Sequence, residues 1–501
     1  MNSKTKVITI AIVGFLCMTT SCIEEKNFYT EKEDNGGIKK DDNESLATIY
    51  IYPFDKEIKD VETSIIIYTK DKLQINNITA DIPPLKYNKT WLLMLTQDDC
   101  KQSAFCRTWA AINGKPISSS VPYPTPTPTD VNLKHDLFYD VRQLIIGDLP
   151  PTIIPAYKSL GSTDGLGNEV RFAITTTLAP EEKWMSATTD IKPNYTDNYY
   201  RFYMKSGLIW DNVREMLNYG TGIAFHDVVA KNVNNPAELL EHFHIAQDII
   251  KEKLNGRGSK FLAEPNGNRT YITAAQQYSD IQTMTAQSNG LILYPFQQQK
   301  SIQNSIIERE FNDYPSHFKQ KILEQLKLPK EERKAICIGV HNTDDNWVEF
   351  LQWLNNNYGK DGDNSLWFPS QEEYYEYTYY RQFSSIKVEQ INDNTIKLIV
   401  TLPGEKYFYY PSTTINLSGI SMQNIQSIES NDNVTGLSYG NYDNGITLNI
   451  DCRKFLFEHA EHFVDLYEKD PSNASNKADA LYFVNMLKES DKKEELIQRI
   501  H

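Results

Sequence analysis

Short apolar runs that end in polar, chemically capable residues recur through the middle of this sequence, with helical segments between them. Trp91 to Leu95, Thr221 to Phe225, Lys260 to Ala263, Leu291 to Tyr294 and Ala335 to Val340 each read as a buried strand. Between two of them Asn235 can cap a helix, Pro236 suits its first turn, and Leu239, Leu240, Phe243, Ile250 and Leu254 form an apolar stripe that Asn255-Gly256 ends. Another helix is expected from about Asn346 to Asn357, and a third opens with the capping box Ser370-Gln371-Glu372-Glu373. Strands alternating with helices imply an α/β fold built on a parallel sheet or barrel.

The flanks differ in pattern. Residues 22–45 are charged and lack apolar periodicity, as a flexible tether should. Residues 46–87 suggest a small β region, from the alternation in Ala47-Thr48-Ile49-Tyr50 and the run Ile65-Ile66-Ile67-Tyr68. Within the central unit, 88–383, residues 101–200 carry the Pro122 to Pro128 run and the polar turn Thr163 to Asn168, and are expected to form a long decorated loop over one face. Period-two runs at Thr395 to Thr401 and Ile446 to Ile450 suggest a C-terminal β-sandwich over 384–451, and 452–501 reads as helical.

At the N-terminus Lys4 and Lys6 precede a twelve-residue apolar run, Val7 to Met18, too short to span a bilayer. Thr19-Thr20-Ser21-Cys22 follows, then Glu24-Glu25-Lys26, and this order resembles the lipobox of bacterial lipoproteins, with Thr19 where Leu is more usual. The resemblance implies a signal peptide over 1–21, lipid on Cys22, and a body anchored outside the cytoplasm, at the outer membrane. The acidic residues after Cys22 look like the surface-export signal of Bacteroidetes lipoproteins. Removing 1–21 deletes two lysines and no acid, so the net charge moves from −15 to −17. Such a chain repels nucleic acid and anionic lipid, so a nucleic-acid partner is not expected, and the only membrane contact foreseen is the lipid. Of the cysteines beyond Cys22, Cys100 and Cys106 are close enough in sequence to pair; no zinc-module spacing is present.

Chemistry gathers where strands end. Asp98 and Asp99 follow the first strand, His226 the second, Glu264-Pro265-Asn266-Gly267 the third and His341 the last. In a barrel those ends converge on one mouth, where two aspartates and two histidines make a credible hydrolytic metal site.

The order of these motifs resembles the polysaccharide deacetylase (NodB-like) family over residues 88–383. Thr96-Gln97-Asp98-Asp99-Cys100 keeps both aspartates of the family's Thr-Phe-Asp-Asp-Gly. His226 stands alone, with Ala230 where a second histidine is usual. Ala263-Glu264-Pro265-Asn266-Gly267 keeps only Pro and Gly of the third motif, and His341 matches the late histidine. The resemblance implies a deformed (β/α) barrel and a hydrolase that removes acetyl groups from carbohydrate, acting on carbon–nitrogen bonds other than peptide bonds. It makes Asp98 the general base, His341 the general acid, and Asp99 and His226 ligands of a divalent metal, zinc by preference, whose third protein ligand is not identified. Pro265, Asn266, Gly267 and Trp367 are then candidates for contact with a glycan. Without its usual arginine in the third motif, Asp98 is expected to lack a partner. His242 and His244, in the middle of the capped helix, read as solvent-facing, and His135 and His317 carry no assignment. The alternative is a degenerate barrel on a surface lipoprotein that binds glycan without cleaving it.

Overall fold

The computed structural model describes residues 50–118, 153–154, 158–186, 207–227, 233–297 and 301–501. The leader, Cys22, the tether, the Pro122 to Pro128 run, His135 and Ala230 lie outside the described residues.

The centre is a set of short parallel strands: β1 (Trp91–Gln97), β2 (Thr175–Thr177), β3 (Gly222–Ala224), β4 (Phe261–Ala263), β5 (Thr283–Ala286), β6 (Ser305–Glu308), β7 (Glu310–Phe311), β8 (Ile336–Val340) and β9 (Leu366–Trp367). All seven residues of β1 are buried, as a run apolar on both faces requires. It lies between β8 and β2, in a sheet ordered β7-β8-β1-β2-β3, and β9 pairs with its first residues, Trp91 and Leu92. A second sheet runs β4-β5-β6. The two sheets meet twice. A parallel bridge joins Phe225, just after β3, to Leu262 of β4, and β6 is separated from β7 by Arg309 alone. The α/β class read from the alternation is therefore observed.

Two expectations need correction. Leu291 to Tyr294 is not a buried strand: it makes one bridge, Leu291 to Ile307, and leaves Leu291 and Ile292 exposed. The places expected for it are filled by β5 and β6, whose Thr, Ser and Glu residues broke the apolar signal. The stretch 101–200 is not all decoration either, because Thr175–Thr177 is a fully buried strand between β1 and β3. Its hydroxyls are satisfied locally; Thr177 Oγ1, for example, accepts from the Cys100 amide at 3.1 Å.

The expected helices form at Pro236–Lys253, Asp345–Tyr358 and Gln371–Phe383. Asn235 and Ser370 cap two of them through backbone amides of Ala237 and Glu373. Asn255 and Gly256 turn left-handed to end the first.

The N-terminal and C-terminal β stretches share their sheets. Val61–Thr69 lies between Thr395–Leu402 and Ile425–Ser430, antiparallel to both, while Thr79–Asp81 pairs with Ser412–Ser418. Ile65, Ile67 and Leu398 from one sheet and Ile415, Leu417 and Leu448 from the other enter one apolar cluster, together with tyrosines of helix Gln371–Phe383. Three helices, Leu456–Lys469, Ala474–Asn485 and Asp491–Ile500, close the chain over a small core of their own. Cys100 and Cys106 are both free thiols, so the pairing considered for them does not occur. No helix among the described residues is long and apolar enough to cross a membrane.

Candidate metal and hydrolytic centre

β1 delivers its aspartates through a turn that the backbone resists. Asp98 is still tied to the sheet, its amide donating to the Val340 carbonyl at 2.8 Å. Asp99 and Cys100 then both take left-handed conformations, with φ of 58° and 49°. Two consecutive non-glycine residues in that region cost of order 1–3 kcal/mol each, and Cys100 stands where the resembling family has glycine. Past the turn the Asp99 side chain is a third exposed, while that of Asp98 stays buried.

Asp98 is 1 % exposed and does have an arginine partner. Arg309 Nη1 and Nη2 donate to its Oδ1 and Oδ2 at 2.7 and 2.6 Å, a two-pronged pair with both side chains buried. Nη2 also donates to the Glu264 carbonyl at 3.1 Å. The expectation of an unpartnered Asp98 is thus overturned: the guanidinium arrives from the junction of β6 and β7 instead of from the third motif.

His226, 3 % exposed, brings Nε2 to 3.3 Å from Asp99 Oδ1 and 3.8 Å from Asp98 Oδ2. Its Nδ1 lies 2.8 Å from the Ala263 carbonyl, a contact that fixes the ring by donating Nδ1–H and leaves Nε2 facing the carboxylates. Asp227, the next residue, completes a group with Asp99 and His226 whose ligand atoms lie within 4.8 Å of one another. The charges respond to the crowding. The hydrogen bond from His226 holds Asp99 well below the usual carboxylate range. Burial opposes the His226 imidazolium, but Asp98, Asp99 and Asp227 outweigh it and raise its pKa. Burial, reinforced by Asp99 and Asp98, pushes the Asp227 carboxyl up despite His226. Two carboxylates and an oriented imidazole, with their ligand atoms within 4.8 Å of one another, are a donor set that fits a divalent cation.

His341 stands at the rim, with Nε2 3.7 Å from Asp99 Oδ2 and Nδ1 3.8 Å from Asp313 Oδ2. Its ring packs on Phe311 at 4.3 Å. Lys101 Nζ lies 3.4 Å from Asp99 Oδ2 on the open side. The structure therefore brings Asp98, Asp99, His226 and His341 together, as the motif order implied, and adds Asp227, Arg309 and Asp313.

The expected glycan contacts fare differently. Pro265 is buried, whereas Asn266 and Gly267 form an exposed left-handed turn beside the centre, leading into the helix that Asn268 caps. Trp367 is no stacking platform. It is 2 % exposed on β9, packed edge-on against Tyr377 at 5.1 Å, and it pairs with the start of β1 instead of its end. His242 is not simply solvent-facing, since Nδ1 meets both oxygens of Glu181 at 2.8 and 2.9 Å. His244 is exposed, edge-on to Tyr278, as expected.

The missed residues left weak traces. Asp227 sits beside the assigned histidine, where a search for a second histidine four residues on passes over it. Arg309 and Asp313 lie in Glu308-Arg309-Glu310-Phe311-Asn312-Asp313, which reads as loop because β6 has only two apolar residues, Ile306 and Ile307.

No curated protein matches the chain. A family model described as "Putative polysaccharide deacetylase" matches residues 63–501, nearly all of the described structure and both antiparallel sheets as well as the parallel core. With that span and the motif order at its centre, the chain belongs to this polysaccharide deacetylase-like family.

Proposed function

We propose that the protein is a metal-dependent hydrolase that removes acetyl groups from a carbohydrate at the cell envelope. The observation that carries this reading is the buried Asp98–Arg309 pair set directly against the Asp99, His226 and Asp227 group. The meeting of the two parallel sheets at Phe225–Leu262 and at Arg309 supports a deformed barrel whose mouth is this centre.

Asp99, His226 and Asp227 would hold the cation, which supplies Lewis acidity toward the acetyl carbonyl and the attacking water. Asp98 takes the water's proton, and its two-pronged bond to Arg309 holds the carboxylate in place. His341, placed by Asp313 and Phe311, gives a proton to the departing amine or alkoxide. Binding without cleavage was favoured by a missing third ligand and a missing arginine; Asp227 and Arg309 supply both roles.

Purified protein should carry one divalent metal per chain and release acetate from acetylated oligosaccharides. Asp98→Asn should cut the turnover about 10²- to 10⁴-fold while keeping the metal, and Asp227→Asn should lose the metal. Absence of bound metal, or full activity in Asp98→Asn, would sink the reading.

The leader and Cys22 support attachment by lipid, which fractionation of the native host tests: Cys22→Ser should move the protein out of the membrane fraction, and a variant that stays there refutes the anchor.

A further inference from the structure

A cleft of about 130 Å³ opens at the other end of the parallel strands. Its walls include Ala173, ahead of β2, Leu217 to Gly220, ahead of β3, and Arg257, ahead of β4, so it faces away from the metal centre. The N-terminal segment at Tyr52 and Phe54, the second antiparallel sheet and the closing helices complete it. The volume is close to the roughly 150 Å³ known to accept a benzene ring in an engineered apolar cavity, so it suits one six-membered ring. The lining is unlike such a cavity, because it combines rings with charges.

Four cations and four acids line the cleft, so it carries no net charge to select an ion. The cations are committed to partners: Lys86 to Glu373 at 2.7 Å, Arg453 to Asp451 at 2.7 Å, Arg257 to Glu372 at 2.9 Å and Arg171 to Asp479 at 2.7 Å. Two of them also lie on rings, Arg257 over Tyr409 at 4.0 Å and Arg171 over Tyr482 at 4.1 Å. Paired charges of both signs offer fixed donors and acceptors side by side, and aromatic walls offer apolar faces. That combination complements a neutral ring bearing hydroxyls, with polar edges and C–H faces.

A second, independent observation marks the same wall. Tyr87 has φ of 61° and Asn88 of 56°, a left-handed pair with a bulky aromatic in it. Such a residue is a backbone outlier that persists only when its surroundings hold it. They do: the Tyr87 amide donates to Thr414 Oγ1 at 2.9 Å, and Asn88 Nδ2 donates to Asn416 Oδ1 at 3.0 Å and Thr447 Oγ1 at 3.1 Å. The antiparallel sheet thus holds Tyr87 in the cleft wall against its own backbone preference.

We infer that this cleft is a second binding site, for a single neutral sugar unit, separate from the hydrolytic centre. It stands on the cleft's own chemistry and does not require the metal centre to be active. The test uses the full chain carrying Asp99→Asn, so that the metal centre is disabled, titrated with the methyl glycosides of glucose, galactose, mannose and N-acetylglucosamine. At least one should bind in the millimolar range by calorimetry and ligand-observed magnetic resonance. Leu437→Trp, which fills the cleft from the sheet side, and Tyr87→Gly, which relieves the left-handed strain and removes the ring, should each weaken that binding at least tenfold. Placed alone in the otherwise unaltered chain, both should leave acetate release unchanged. No binding by any of the four glycosides, or binding undiminished in both variants, overturns the site; a result in which sulfate binds there and the sugars do not overturns the neutral-ligand assignment.

Discussion

Replacing Arg309 with leucine should lower stability by about 3–5 kcal/mol and reduce acetate release about 10²- to 10⁴-fold. Both effects have one origin. Asp98 and Arg309 are 1 % exposed, and two hydrogen bonds of 2.7 and 2.6 Å join them. Removing the guanidinium leaves a buried carboxylate that must either stay charged without compensation or take up a proton. A protonated Asp98 cannot accept one from water, so the loss of stability and the loss of turnover arrive together. Arg309→Lys keeps the charge but cannot reproduce the two-pronged contact, and it should fall between leucine and wild type in both measurements. Denaturant unfolding and kcat/KM on an acetylated oligosaccharide give the two readouts. Turnover unaffected in Arg309→Leu would mean that Asp98 is not the base.

Lys260→Met should be similarly damaging to stability, by about 3–5 kcal/mol, and yet leave the chemistry of the folded fraction intact. Lys260 has no exposed surface. Its Nζ lies 2.7 Å from Glu376 Oε1 and donates to the Tyr407 carbonyl at 2.6 Å. Glu376, equally buried, accepts from the amides of Tyr409 and Tyr410, the latter at 2.6 Å. Burial already pushes the Glu376 carboxyl up, and Lys260 is the main force opposing it. Lys260 stands just ahead of β4, at the opposite end of the strand from the candidate centre, so turnover per folded molecule should not change. The double variant Lys260→Met, Glu376→Gln removes both charges and keeps an acceptor for one amide, and it should regain much of the loss. Additive effects across this cycle would show that the two charges do not support one another. A protein of this kind holds only about 5–15 kcal/mol in total, so either single variant consumes a large share.

What could be read in advance followed the strength of the local signal. β1 and β8 are long and apolar, and Asn235-Pro236 and Ser370 announce helix starts, so all of these were legible. Thr175–Thr177 was not, because three threonines carry neither an apolar run nor an alternation. Position in the sheet makes them buried, and their hydroxyls are satisfied by neighbours that no linear pattern reveals. The same limit applies to the centre. Asp98, Asp99, His226 and His341 follow recognisable strands, whereas Arg309 and Asp313 follow a strand of four residues hidden in polar sequence. Trp367 misled for the opposite reason: an aromatic residue near the motifs says nothing about which end of a strand it packs against.

The placement of Val61–Thr69 between two strands from the far end of the chain also governs when the molecule can finish forming. Val61 faces Leu402 in the register. At about 5–20 residues per second, a ribosome takes roughly 20 to 70 s to supply that partner after the first strand has emerged. Throughout that wait the strand has both edges bare, a template for unwanted pairing. Holding the nascent chain apart from its copies until the last third is made is therefore a demand built into the topology, and a chain cut short after Phe383 would keep every residue of the candidate centre while leaving that demand unmet.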